Sequence, residues 1–279
     1  MEDEYKVANG GRFAAVFDGH GGNEVSLILR ERLYDEYCKW LSKKHWEERD
    51  DFHLEKLRTP SISSHVAALR GAIEQIDKDV MEEEHLIHQG STAVAVVVHV
   101  DEDGHRTLLS ANVGDSRAIL SRGGKAVDLT WDHKPNEERE RSRIMARGEE
   151  VQWDAHAQVH RVRNLSLSRA IGDKHAKPVV IGEPEIRHFP VQDKEDEFFL
   201  LASDGLWDVM SSQEVVDYIH QTLEQETPNG SLSEEQQATL KRVQYTRMAR
   251  KVAREALERG TSDNVCVLLV WLGKDDMNE

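Results

Sequence analysis

The sequence predicts an α+β fold, an antiparallel β-sandwich flanked on its outer faces by pairs of α-helices. Three observations predict it. Amphipathic helices come two at a time, once near each end of the chain. Short apolar strands come as hairpins between them. Neither a linker-like tract nor an internal repeat interrupts the 279 residues, so the chain reads as a single domain, 1–279.

The elements follow in order. Phe13 to Phe17 is an apolar run that stops at Asp18-Gly19. A helix is expected from about Asn23 to Lys44, because Val25, Ile28, Leu29, Leu33, Tyr37, Trp40 and Leu41 recur at helical spacing. A second is expected from about Ser64 to Glu84 on Val66, Leu69, Ile73, Ile76 and Val80. The charged stretch Trp46 to Pro60 between them reads as irregular. Thr92 to Val100 is too apolar for an exposed strand. It turns at Asp101-Glu102-Asp103-Gly104 and returns as Arg106 to Val113. Arg117–Ser121 and Lys125–Leu129 form another hairpin about Gly123-Gly124. A short helix, about Pro135 to Arg147, is expected to carry Pro135 in its first turn. Strands follow around Val159–Leu167, Glu185–Phe189 and Phe198–Ser203. Ser211-x-x-Glu214 reads as a capping box opening a helix to about Glu226, which Thr227-Pro228-Asn229-Gly230 breaks. Ser231-x-x-Glu234 reads as a second box, with its helix continuing to Arg259. Val265 to Leu272 ends the series as a buried strand.

The chemistry sits at strand ends. Phe17-Asp18-Gly19-His20, Ser203-Asp204-Gly205 and Thr261-Ser262-Asp263-Asn264 each put an aspartate beside an apolar run. Converging strands would gather these carboxylates, and like charges so placed need a cation. Hard oxygen donors select Mg²⁺ or Mn²⁺ over zinc, and such ions suit phosphate substrates. Any one Asp-Gly is more often a plain turn. Asp101 and Asp103 look like the start of a calcium loop, but the later ligand positions are missing, so a hairpin turn is the reading.

The net charge of −16, from 36 Lys+Arg against 52 Asp+Glu, excludes the basic footprint of a nucleic-acid or anionic-membrane binder. No apolar run reaches membrane-spanning length and no hydrophobic signal core opens the sequence. An intracellular monomer, cytoplasmic and/or nuclear, is expected. Cys38 and Cys266 read as core thiols with no catalytic part.

The chain resembles the PP2C class of metal-dependent protein serine/threonine phosphatases over essentially its whole length. The resemblance is carried by Met1-Glu2-Asp3, Val16 to Gly22, Gly90 to Ala93, Ala111 to Arg117, Asp132 to Pro135, Leu167 to Asp173, Ala202 to Val209 and Gly260 to Asn264, in that order. It implies a site for two Mn²⁺ or Mg²⁺ ions at one end of the sheets. Asp18 would bridge both ions, Glu2 and the Gly19 carbonyl would bind one, and Asp204 and Asp263 the other. Asp115 and Asp208, with Asp204, would hold a weaker third ion. Asp3 would act through water from outside the ligand shell. His20 is implied as the general acid, with hydroxide held between the ions attacking phosphorus. Phosphoproteins are the implied substrates. Thr92, His133 and Arg169 are assigned structural support, and Trp207 a core anchor.

The chain departs from the family in two places. An arginine expected about four positions before the first acidic block, to grip phosphate, is absent, as are the strand or strands preceding it. An N-terminally incomplete sandwich is therefore expected, with an unpaired sheet edge and Glu2 loosely held. The segment Asp173–Gly182 is short where the family builds a flap, implying an open cleft. The alternative function is a weak or inactive metal-binding regulatory scaffold, and a third reading is a hydrolase of small phosphoesters.

Overall fold

The computed structural model describes residues 1–47, 59–227 and 233–273. Two antiparallel sheets stack face to face with helices outside both, giving four layers. The first sheet has five strands: β1 (Glu4–Ala8), β2 (Phe13–Phe17), β5 (Ala93–Val100), β6 (Arg106–Val113) and β12 (Glu185–Pro190), in that spatial order. The second orders β14 (Val267–Trp271), β13 (Asp196–Ala202), β7 (Arg117–Arg122) and β8 (Lys125–Asp128). A small third sheet joins β3 (Gly19–His20), β4 (Gly90–Ser91) and β11 (Ile171–Gly172). A separate hairpin pairs β9 (Gln152–Asp154) with β10 (Val159–Arg161).

Strand β2 shows why the layers form. All five of its residues are buried, and successive side chains point to opposite faces. Phe13, Ala15 and Phe17 join Leu29 and Leu33 of α1 (Glu24–Glu47) and Leu69 and Ile73 of α2 (Ile62–Glu82). Ala14 and Val16 face the other way, into an inter-sheet core with Val94, Val96, Leu120 and Phe199. Strand β13 repeats the pattern. Its Phe198, Leu200 and Ala202 meet Val215, Val216 and Ile219 of α5 (Ser212–Glu226) and Met248, Val252 and Ala256 of α6 (Glu234–Glu258). Each fully buried side chain of this size contributes roughly 1.5–3 kcal/mol.

The expected α+β sandwich is the observed architecture. The details differ in four places. The box at Ser231 lies outside the described residues; α6 is capped instead by Ser233, with Gln236 reaching back to the cap. Two overlapping boxes exist in the sequence, and the later one carries the helix. Pro135 precedes its helix rather than opening it, since α3 spans Glu138–Met145. The strand expected at 159–167 is regular only as β10, and beyond it Arg163 and Asn164 adopt left-handed conformations (φ 51° and 67°) that end an extended run. Strand β1 was not expected. Most of the irregular stretch before α2 and the break after Thr227 lie outside the described residues.

A short segment after β11 folds onto α3. Ala176, Val179 and Val180 bury against Ile144, Val162 and Leu167. On the opposite side the sandwich is open. The outer edges of β1 and β14 carry no partner strand among the described residues. Together with Lys241, Tyr245 and Ala249 of α6 they line a groove of about 1110 Å³.

Candidate active site

Asp18 sits where β2 gives way to β3, and its backbone is fixed from both sides. Its N–H donates to Thr92 Oγ1 at 3.1 Å, while its carbonyl accepts from Thr92 N–H at 2.8 Å and Ser91 Oγ at 3.1 Å. Asp204 opens the short helix α4 (Asp204–Trp207), directly after β13. Ser203, just before it, donates to Asp3 Oδ2 at 2.7 Å and accepts from the Cys266 N–H at 2.9 Å. One hydroxyl thus ties the N-terminal segment, the end of β13 and the start of β14 together.

The carboxylates approach one another pairwise at this end of the sheets, although among the described residues no three of the implied ligand carboxylates bring oxygens within 4.8 Å of one another. Asp18 is in hydrogen-bonding contact with both Asp204 and Asp3. Burial pushes the Asp18 carboxyl up to about 10, reinforced by the charges of Asp204, Asp3 and Asp115. Burial raises Asp115 to about 7, with Asp204 adding to it. Asp204 rises to about 6 through burial and then the charges of Asp208 and Asp263. Asp3 is raised too, by burial first, although the hydrogen bonds from Ser203 and Asp18 oppose this. Alone, such a group takes up protons. A divalent cation in their place would satisfy the same oxygens, and the donor set is all oxygen, so the residues fit Mg²⁺ or Mn²⁺.

The remaining implied ligands lie around this centre. Asp263 is exposed in the turn before β14, and its charge is felt at Asp3 and Asp204. Gly205 packs so closely on the Asn264 carbonyl that no Cβ would fit between them. Asp208 follows α4, with Lys134 Nζ 3.4 Å from its Oδ1. Glu2 is half-buried, and its carbonyl accepts from Ser26 Oγ at 2.6 Å, so its backbone is held by α1. The group Asp101, Asp103 and His105 is elsewhere, at the β5–β6 hairpin tip. Asp101 Oδ1 there accepts from the N–H groups of Asp103 and His105, which is a turn stabilising itself.

His20, on β3, borders the cluster. Burial pulls its imidazole down, but the hydrogen bond and charge of Asp173, with Asp115 and Glu2, outweigh this and leave it raised. The sequence reading missed Asp173 as a side chain near the site. It also missed Lys134, which four aspartates hold protonated against the opposing effect of burial.

The supporting residues are also placed. His133 Nδ1 accepts from the Gly114 N–H at 3.2 Å and steadies the loop bearing Asp115. Arg169 grips Glu140 Oε1 at 2.6 Å and the Glu183 carbonyl at 3.0 Å. Trp207 buries its ring and donates to the Ala202 carbonyl at 2.9 Å. Cys266 is half-buried, with burial pushing its thiol up to about 12, far from a nucleophile's range.

Comparison with known proteins places this fold. A solved structure described as a C.elegans sex determining protein has a TM-score of 0.76 at 25% identity, covering 99% of this chain and 62% of that one. A serine-threonine phosphatase 2C from Toxoplasma gondii shares the fold, with a TM-score of 0.69 at 22% identity over 93% of this chain and 84% of its own. The family model for protein phosphatase 2C matches residues 5–265. The chain belongs to the protein phosphatase 2C family. Probable protein phosphatase 2C 45 of Oryza sativa subsp. japonica is 37% identical over 92% of this chain and 76% of its own length. Protein phosphatase 2C 16 of Arabidopsis thaliana is 36% identical over 94% of this chain and 52% of its own. Probable protein phosphatase 2C 52 of Oryza sativa subsp. japonica is 33% identical over 94% and 45%. The chain therefore spans about half the length of two of these relatives. Glu2 and Asp3 fall just outside the matched residues.

Proposed function

We propose that this chain is a Mn²⁺- or Mg²⁺-dependent protein phosphatase that hydrolyses phosphoserine and phosphothreonine without a covalent intermediate. The observation that carries the reading is the contact of Asp18 with both Asp204 and Asp3 in a buried setting where their ionised forms repel one another. Asp18 would bridge two ions, with Glu2 and the Gly19 carbonyl completing one shell and Asp204 and Asp263 the other. Asp115 and Asp208 would share a weaker third ion with Asp204. When bound, such a pair of cations activates water for in-line attack and offsets charge on the phosphoryl oxygens.

The chain's own residues supply the rest. Thr92 and Ser91 hold the Asp18 backbone in place. Ser203 holds Asp3 against the cluster. His20 is suited to protonate the departing Ser or Thr oxygen, whose alkoxide is far too basic to leave unaided. The serine/threonine phosphatase activity is tested by hydrolysis of p-nitrophenyl phosphate and of a phosphothreonine peptide with and without Mn²⁺. Turnover of both that needs the ion and is lost in Asp204→Asn supports the reading. Ion-independent turnover, or an Asp204→Asn variant as active as wild type, overturns it. A regulatory scaffold is the second reading, and it predicts ion binding with no turnover.

A further inference from the structure

The small third sheet brings together two side chains that lie 153 positions apart. In its register His20 stands opposite Gly90, and Gly90 stands opposite Gly172. His20 and Asp173 therefore approach each other across the one residue between them that has no side chain. A Cβ at position 90 would come within 2.5 Å of His20 Nε2 and would overlap Asp173 Oδ2 as well. With glycine there, His20 Nε2 and Asp173 Oδ2 meet at 2.7 Å.

Asp173 is built into this place. Its side chain is wholly buried, while 27% of the His20 side chain is exposed. Its backbone is left-handed, at φ 51° and ψ 47°, a conformation uncommon outside glycine although aspartate tolerates it better than most residues. The Asp173 N–H donates to the Gln89 carbonyl at 2.9 Å. The Gly172 N–H before it donates to Asp77 Oδ1 at 2.8 Å, and Lys177 Nζ clamps Asp77 and the Ala170 carbonyl. Asp173 Oδ1 is buried with no hydrogen-bond partner among the described residues. A buried carboxylate with one oxygen orphaned and the other given to an imidazole is costly as a structural device.

We propose that Asp173 is a positioning residue for the phosphatase reaction, accepting the Nε2–H of His20 so that Nδ1 is the nitrogen that protonates the leaving oxygen. This rests on the phosphatase reading above. The P–O bond to the Ser or Thr oxygen breaks with its electron pair staying on that oxygen. The Nδ1 proton moves to it, and the imidazolium becomes a neutral imidazole that keeps its Nε2–H on Asp173. The proton released by the attacking water restores the imidazolium. Asp173 touches no reacting atom.

The test uses two substrates that differ in their need for an acid. Nitrophenolate departs without a proton, whereas a threonine alkoxide does not. With Mn²⁺, Asp173→Asn is expected to lower the ratio of kcat on a phosphothreonine peptide to kcat on p-nitrophenyl phosphate about 100-fold, the scale of general-acid catalysis. The double variant with His20→Ala should be no worse than His20→Ala alone. Equal losses on both substrates would reduce Asp173 to a structural anchor and overturn the proposal. Unchanged kinetics on both would overturn it as well. A wild type inactive on both substrates refutes the phosphatase reading itself, which is a different result. If Asp173→Asn does not fold, the tautomer of His20 in the wild-type protein decides. Nitrogen NMR should place a hydrogen-bonded proton on Nε2, and a proton held only on Nδ1 would overturn the proposal.

Discussion

Lys134 and Asp208 form an ion pair across the mouth of the carboxylate cluster, with Nζ 3.4 Å from Oδ1. The ammonium answers more than this one partner, for Asp115, Asp132 and Asp204 also raise its pKa against the opposing effect of burial. In the absence of metal ions it is a built-in counter-charge.

Removing that charge should make the protein lean harder on its metal. Lys134→Met is expected to lower stability without metal by roughly 1–2 kcal/mol, the scale of an ion pair between exposed and buried limits. Saturating Mn²⁺ should then raise the melting temperature of the variant more than that of wild type. Equal shifts in the two proteins would show that Lys134 does not balance the cluster.

Asp204→Asn should act in opposite directions with and without metal. The folded Asp204 carboxyl sits at about 6 against an ordinary 3.8, so folding favours its protonated form. The stability it withholds grows as pH rises from 3.8 and is complete above about 6. The amide cannot ionise, so at pH 7.5 the metal-free variant is expected to gain on the order of 1–3 kcal/mol. Its response to Mn²⁺ should be lost. Denaturant melts with and without the ion measure both effects.

Gly205→Ala is expected to weaken metal binding without removing a ligand. A Cβ at position 205 would overlap the Asn264 carbonyl, a backbone atom that cannot swing aside as a side chain does. The turn carrying Asp263 must shift outward. Roughly a tenfold loss in Mn²⁺ affinity, about 1.4 kcal/mol, is expected by calorimetry. A variant binding as tightly as wild type would show that Asp263 contributes little.

Acid should destabilise the helix-covered face of the first sheet. Tyr37 O–H, His65 and His99 form a buried chain, with 2.5 Å from the phenol to His65 Nδ1 and 3.2 Å from His65 Nε2 to His99 Nδ1. Burial, and then His99, pushes the His65 imidazole down to about 4. The unfolded chain therefore binds a proton between about 6.5 and 4 that the folded chain refuses. Stability should fall as pH drops through that window, by about 3 kcal/mol in all, and level off below it. His65→Gln should flatten the slope in urea melts taken from pH 7 to pH 4, and an unaltered slope would assign it to other groups.

Much of the architecture was legible because burial on both faces leaves a strong signal. The run Thr92–Val100 could only be an interior strand, and β5 is one. Strand β1 escaped because an edge strand needs little apolar character. Its exposure merely alternates, and the Asn9-Gly10-Gly11 turn that pairs it with β2 went unread. Asp18, Asp204 and Asp263 stood out because each lies beside an apolar run. Asp173 did not, because its importance comes from what lies across a glycine in a three-dimensional register, which no local pattern encodes. The choice between Ser231 and Ser233 as helix cap was equally invisible, since both satisfy the same rule.

The open seam between β1 and β14 has a dynamic consequence. Among the described residues strand β14 is hydrogen-bonded only to β13, so no partner strand protects its other edge from solvent. The turn that delivers Asp263 is its root, and Cys266 at its base is stitched through Ser203 to Asp3. An ion held at the acidic centre would therefore be expected to restrain this last strand as well. Deuterium uptake at residues 267–271 is expected to fall when Mn²⁺ is added, and unchanged uptake would uncouple the strand from the centre.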